Sequence, residues 1–152
     1  MNSDSVAPRP RRPTQDEPES GPRSLPWLGT GEVLVADDDP AMRRVLIRAF
    51  ERFGLTPVPC VDGLEAAQAV EANPDRFRIV VLDLTMPRMS GDAALTRIRA
   101  ANATLPAIVL SGYLEDEIRE RVNEGDRVAV LNKPFSLREL ADVLWKVAGP
   151  RD

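Results

Sequence analysis

Histidine is absent from this 152-residue chain, and cysteine occurs once, at Cys60. Without an imidazole the chain cannot build a His-ligated zinc site, a Ser-His-Asp hydrolase or a phosphohistidine donor. One cysteine forbids an internal disulfide and argues against a thiolate metal site. Cys60 follows Pro59 at the end of the run TPVPC, with no histidine to activate it, and reads as a small buried side chain. Any phosphoryl group handled here would therefore come from a partner's histidine or a small molecule and rest on a carboxylate.

Other absences narrow the field. No stretch approaches the roughly 20 apolar residues needed to span a bilayer, and no apolar core follows the N-terminal positive charges as it would in a signal peptide. No fixed-period repeat is visible. There is no basic excess either: the formal charge is −4, the pI is near 5.0, and the Lys and Arg residues are dispersed. Nucleic-acid surfaces usually carry a clustered basic face. The expectation is a cytoplasmic protein with no membrane and no nucleic-acid partner.

What is present divides near Gly31. Residues 1–30 hold six of the fourteen prolines, with serines, mixed charges and few aliphatic residues, a composition that cannot offset the entropy of ordering. They are expected to form a disordered Pro-rich tail or linker. Its PRPRRP stretch has the form of a polyproline-domain ligand, but a solvated linker is the better reading. Leu25, Pro26, Trp27 and Leu28 make a small apolar knot that could pack on the domain edge. The remainder, 31–149, forms one domain, and 43% hydrophobic content can supply its core.

From Glu32 onward apolar runs alternate with amphipathic segments. Strands are expected at 32–36, 56–60, 79–82, 107–110 and 128–131. Between them, Asp39 caps a helix with Pro40 at its first position and Gly54 at its end. Asp62 and Glu65 make a capping box for a helix that stops near Asn73-Pro74. Further helices fall at about 91–101 and 115–124, and Ser136 with Glu139 starts a last one at 137–148, closed by Gly149-Pro150. Five β-α units in about 120 residues imply a parallel sheet with helices on both faces.

The chemistry-bearing residues sit at the ends of those runs: Asp37-Asp38-Asp39 after VLVA, Asp83 after IVVL, Ser111 after AIVL and Lys133 after VAVL. In an open α/β sheet this edge binds ligands. Converging carboxylates can hold a hard divalent cation, and a lysine and a hydroxyl can hold the anion that such a cation brings. The set reads as a Mg²⁺-assisted phosphoryl-acceptor site. Plainer readings stand beside each residue. Asp39 suits a helix cap better than a third metal ligand. Asp37 and Asp38 could be solvated turn residues, Ser111-Gly112 a turn, and Lys133 a surface lysine before Pro134.

In combination VLVADDDPAMRR, VLDLTMPRMSG, VLSGY and LNKPF resemble the receiver domain of two-component response regulators over about residues 31–149. The resemblance implies a flavodoxin-like (CheY-like) doubly wound five-stranded parallel sheet with strand order 2-1-3-4-5. It implies that Asp83 is the phosphorylated carboxylate and that Asp37, Asp38, Asp83 and the backbone carbonyl of Thr85 bind Mg²⁺. Ser111 and Lys133 would each hold a phosphoryl oxygen, and the Lys133-Pro134 bond would be cis. Where the family often has Tyr or Phe, three residues before the lysine, this chain has Val130. A ring switch is therefore not expected, and a shift of the 111–115 loop, signalled by Ser111, could take its place. Tyr113 could partly replace the missing ring, or be an exposed loop aromatic.

The wording of GTGEVLVADDDP and NKPFSLREL is similar to receivers at the C-termini of hybrid sensor kinases. Such a domain is a phosphoacceptor in a phosphorelay, not an enzyme beyond its own Mg²⁺-dependent self-phosphorylation and autodephosphorylation. Its donor would be a sensor histidine kinase or a histidine phosphotransfer protein. Its downstream protein target would meet the face made by the 115–124 helix, the fifth strand and the last helix. With 19 residues after Lys133, no DNA-binding domain is expected there. The state would be a monomer or a phosphorylation-dependent dimer. Two other readings remain: a Mg²⁺-dependent phosphohydrolase of haloacid dehalogenase type, and a degenerate receiver acting only as a binding module.

Overall fold

The computed structural model describes residues 25–112, 117, 120–122, 125 and 127–150, and in it each expected apolar run is a strand. In chain order the elements are β1 (Glu32–Ala36), α1 (Pro40–Phe53), β2 (Thr56–Cys60), α2 (Gly63–Ala72), β3 (Phe77–Asp83), α3 (Gly91–Ala101), β4 (Ala107–Ser111), β5 (Val128–Asn132) and α4 (Leu137–Ala148). The strands form one sheet in the order β2-β1-β3-β4-β5, and all neighbours run parallel. This is the flavodoxin-like order. The helix expected over 115–124 lies mostly outside the described residues, and Tyr113 lies wholly outside them.

Alternation along the strands explains the two layers, because successive side chains of a strand point to opposite faces. Val33 and Val35 of β1, Ile79 and Val81 of β3, Ile108 and Leu110 of β4, and Ala129 and Leu131 of β5 join one core. Phe50 and Phe53 of α1 and Leu140, Leu144 and Val147 of α4 cover that face. Their neighbours Leu34, Ala36, Val80, Leu82, Ala107, Val109 and Val128 join Ala66 and Val70 of α2 and Ala94 and Ile98 of α3 on the other face. Each fully buried Leu, Ile or Phe contributes roughly 1.5–3 kcal/mol of transfer free energy. Cys60 lies in the second core, and burial above all pushes its thiol up to about 12. It is inert at neutral pH, as expected of a packing residue.

The helix ends follow local chemistry. Asp39 accepts the Ala41 N–H at 3.0 Å with Pro40 at the start of α1. At α4 the Ser136 hydroxyl accepts from the Glu139 N–H (3.0 Å) while the Glu139 carboxylate accepts from the Ser136 N–H (2.8 Å), a complete capping box. At α2 the box is not complete. Asp62 accepts the Glu65 N–H at 2.9 Å, but Glu65 reaches past the cap to the Val61 N–H at 3.0 Å.

One departure from the sequence-based expectation and one expected contact concern edges. β3 runs from Phe77 to Asp83, longer than the expected 79–82. Arg78 hid its beginning: the side chain is exposed, and its guanidinium turns back to the Thr30 carbonyl at 2.6 Å. The apolar knot before Gly31 packs into the first core through Leu25 and Leu28, which are buried. There Trp27 meets Trp145 of α4 edge-on, with ring centroids 5.1 Å apart at 85°. Residues 25–28 thus tie the start of the packed unit to its last helix.

Candidate functional site

Strand register brings the polar stations together. Ala36 pairs with Leu82, so Asp37 and Asp83 leave β1 and β3 at the same level. Asp83 pairs with Leu110, one residue before Ser111, and Ser111 pairs with Asn132, one residue before Lys133. The Lys133 N–H donates to the Ser111 carbonyl at 2.7 Å. Four strand ends thus converge on one spot at the carboxyl edge of the sheet.

Asp37 is fully buried, Asp83 is 8% exposed, and Asp38 faces solvent. One oxygen from each lies within 4.8 Å of the others. The Lys133 ammonium bridges two of them, at 3.0 Å from Asp83 Oδ1 and 3.3 Å from Asp37 Oδ2. The other Asp37 oxygen accepts the Asp39 N–H at 2.9 Å, and the Asp37 carbonyl accepts from Arg43 of α1 at 2.7 Å. Buried carboxylates need such partners.

Compensation is nevertheless incomplete. The Asp83 carboxyl is pushed up to about 6: burial is the main cause, the Lys133 hydrogen bond opposes it, and the Asp37 and Asp38 charges add to it. Burial works against the Lys133 ammonium, yet Asp83 and then Asp37 hold its pKa above the ordinary lysine value. A hard, all-oxygen donor set carrying excess negative charge suits a divalent cation.

Thr85 is exposed on the loop that leaves Asp83, and Ser111 is buried at the end of β4. Asp39 serves as the helix cap and stands outside the cluster. The Lys133-Pro134 peptide is cis, as the resemblance implied. Val130 is half-buried beside the second core and pairs with Val109.

The β3–α3 loop is seated by residues that motif reading passed over. A Cβ on Gly91 would lie 2.3 Å from the Asp83 carbonyl oxygen, and one on Gly63 would lie 2.1 Å from the Met89 carbonyl oxygen. Only hydrogen fits at either position. Arg88 adopts φ 65° and its Nε donates to Asp62 Oδ2 at 2.6 Å. Asp62 was legible only as a cap, because its partner lies 26 residues away.

Lys133→Ala should leave the Asp37 and Asp83 carboxylates facing each other. In metal-free protein the expected loss is about 1–2 kcal/mol, below the usual value for a broken buried pair because the lysine is partly exposed. Thermal unfolding with EDTA and then with Mg²⁺ would check this; the deficit should shrink when a cation replaces the missing ammonium.

Residues 33–144 match the family model of the response regulator receiver domain. The chain is 32% identical over 124 residues to the sensor kinase CckA of Brucella abortus (strain 2308), and 38% identical over 110 residues to the response regulator MprA of Mycobacterium ulcerans. Those alignments cover 82% and 71% of this chain but only 13% and 46% of the two relatives, so the chain spans less than half the length of either. Among solved structures it is similar to the receiver domain of a sensor histidine kinase from Pseudomonas aeruginosa PAO1, which has a magnesium ion coordinated in its active-site cleft. The TM-score there is 0.70 at 25% identity, covering 80% of this chain and 99% of that one. No helix among the described residues is long and apolar enough to cross a membrane. With strand order, cluster and profile in agreement, the chain belongs to the response regulator receiver domain family.

Proposed function

We propose that Asp83 accepts a phosphoryl group in a Mg²⁺-dependent reaction and that the domain passes the resulting change to a protein partner. One observation carries this reading: Lys133 bridges Asp83 and Asp37 within a three-carboxylate cluster at the ligand-binding edge of the sheet. A carboxylate oxygen of Asp83 would attack phosphorus as the donor's P–N bond, or the P–O bond of a small acyl phosphate, breaks. Phosphoryl transfer needs little covalent help beyond positioning and charge compensation. Mg²⁺, held by Asp37, Asp38, Asp83 and the Thr85 carbonyl, would supply part of that compensation. Lys133 can move from carboxylate to phosphoryl oxygen, and the hydroxyl of Ser111, at the end of the neighbouring strand β4, would take another.

The similarity to a sensor kinase and to a response regulator supports a histidine kinase, or a histidine phosphotransfer protein, as the donor. The output surface would be the face made by the helix expected over 115–124, β5 and α4; β5 is the edge strand. Phosphorylation of Asp83 would bias a two-state equilibrium of that face. A phosphohydrolase of haloacid dehalogenase type would place a general acid two residues after its nucleophile. Position 85 is Thr, which offers no carboxyl.

The test is to incubate the protein with Mg²⁺ and acetyl phosphate, measure intact mass and map the adduct. One phosphate on Asp83, lost when EDTA replaces Mg²⁺, is the expected result. No adduct on folded protein would leave the binding-module reading in its place. Val130 has no ring to swing, so amide shift changes on binding a phosphoryl analogue should be similar in wild type and Val130→Ala. A response abolished by that change would refute transmission without a switch residue at 130.

A further inference from the structure

The loop between β3 and α3 has to carry two duties at once in the reading above: it leaves the acceptor Asp83 and presents the Thr85 carbonyl to the cation. Its far end is held in an unusual way. Arg88 is a non-glycine residue in the left-handed region at φ 65°, a conformation that persists only where the surroundings enforce it. The enforcing contact is long-range. Arg88 Nε donates to Asp62 Oδ2 at 2.6 Å, and Asp62 sits in the β2–α2 turn with only 3% of its surface exposed.

Around that ion pair the packing leaves no slack. The other Asp62 oxygen is occupied by the Glu65 N–H at 2.9 Å, so the carboxylate is fixed to the first turn of α2. Gly63, the next residue, lies against the Met89 carbonyl, where a Cβ would meet oxygen at 2.1 Å. At the near end, the Gly91 N–H donates to the Leu84 carbonyl at 2.8 Å. Thr85 is thus suspended between an anchor at Leu84 and Gly91 and a second anchor at Arg88 and Met89. Arg88 itself is exposed over more than half of its side chain, at 57%, so it adds little to the core. Among the described residues its hydrogen bond is to a buried anion, Asp62.

We propose that Arg88 is a positioning residue: its ion pair with Asp62 clamps the 84–90 loop to the start of α2 and so fixes the Thr85 carbonyl for the cation bound by Asp37, Asp38 and Asp83. This rests on the metal-site reading given under Proposed function. Arg88 touches neither the cation nor the phosphoryl group. It acts through the loop backbone, and its loss weakens metal binding while the sheet and the carboxylates stay in place.

The test uses the whole chain and Mg²⁺ alone, titrated while backbone amide signals of the site are followed by NMR, with thermal unfolding run in EDTA on every variant. Arg88→Ala and Asp62→Asn are each expected to raise the Mg²⁺ Kd about fivefold or more, with the Asn retained as a cap for α2. Because both remove one contact, the double variant should be no weaker than the weaker single. Arg88→Lys, which keeps the charge, should recover part of the affinity. Arg88→Gly, which accepts a positive φ but has no guanidinium, should not. Unchanged affinity in Arg88→Ala, full affinity in Arg88→Gly, or additive losses in the double variant would each overturn the clamp. A wild-type protein without any saturable Mg²⁺ response would instead sink the metal-site reading beneath it, and the two failures are told apart by that control.

Discussion

Asp83→Asn should abolish phosphoryl acceptance and, in metal-free buffer at neutral pH, make the protein more stable. The first half follows from chemistry: the amide keeps the shape of the carboxylate and loses the nucleophile. The second half follows from the folded-state pKa of about 6, which burial raises above the ordinary aspartate value of 3.8. An acid whose pKa is raised by folding binds its proton more readily in the native state. Its ionisation therefore costs stability as pH climbs from about 4 through 6, and the cost is fully present above that window. A shift of about two pH units corresponds to roughly 3 kcal/mol at most, and Asn removes this cost while its amide oxygen can still accept from Lys133. Unfolding in EDTA should thus give a higher Tm for Asp83→Asn than for wild type at pH 7.5, with a clearly smaller difference at pH 4.5. Added Mg²⁺ should narrow or reverse the gap, because the wild type binds the ion better. A stable phosphate adduct on Asp83→Asn, or a variant less stable than wild type in EDTA at pH 7.5, would reject the assignment.

Gly91→Ala is expected to cost about 3 kcal/mol, at the upper end for overpacking a tight site. One methyl group would meet the Asp83 carbonyl oxygen at 2.3 Å and the Leu84 Cα at 3.0 Å. Both are backbone atoms, so no side chain can rotate away. Either α3 lifts off the sheet, exposing Ala94 and Ile98 of the second core, or β3 ends early and Asp83 moves. In a chain of this size that loss corresponds to a Tm lower by roughly 6–12 °C. The acceptor should be slowed even in the fraction that stays folded. A Gly91→Ala protein with wild-type Tm and normal labelling by acetyl phosphate would show that the contact relaxes without consequence.

Much of this architecture was legible from residue order. Strand positions followed from short apolar runs bounded by turn residues, and the order 2-1-3-4-5 from resemblance to a known family. The convergence of Asp37, Asp83, Ser111 and Lys133 follows from parallel register, since residues that end neighbouring strands must share an edge. What escaped was long-range and polar. Arg78 is charged, so the first turn of β3 looked like loop, although the side chain merely leans out to Thr30. Glu65 fits a capping-box spacing, yet its carboxylate binds one residue earlier, at Val61. The partnership of Asp62 with Arg88 has no local signature, because its geometry depends on how two separate loops are stacked. Gly63 and Gly91 likewise read as ordinary helix starts until the atoms that crowd them are known.

Both tryptophans of the chain, Trp27 and Trp145, are committed to a single edge-on pair. Tryptophan fluorescence therefore has one address in this protein, the seam between the N-terminal turn and the final turns of α4. The emission is insensitive by location to events confined to the carboxylate cluster and responsive to anything that loosens the seam. A change in emission on phosphorylation would accordingly be a remote readout: it would mean that the signal had travelled along α4 to the point where the preceding stretch of chain is attached.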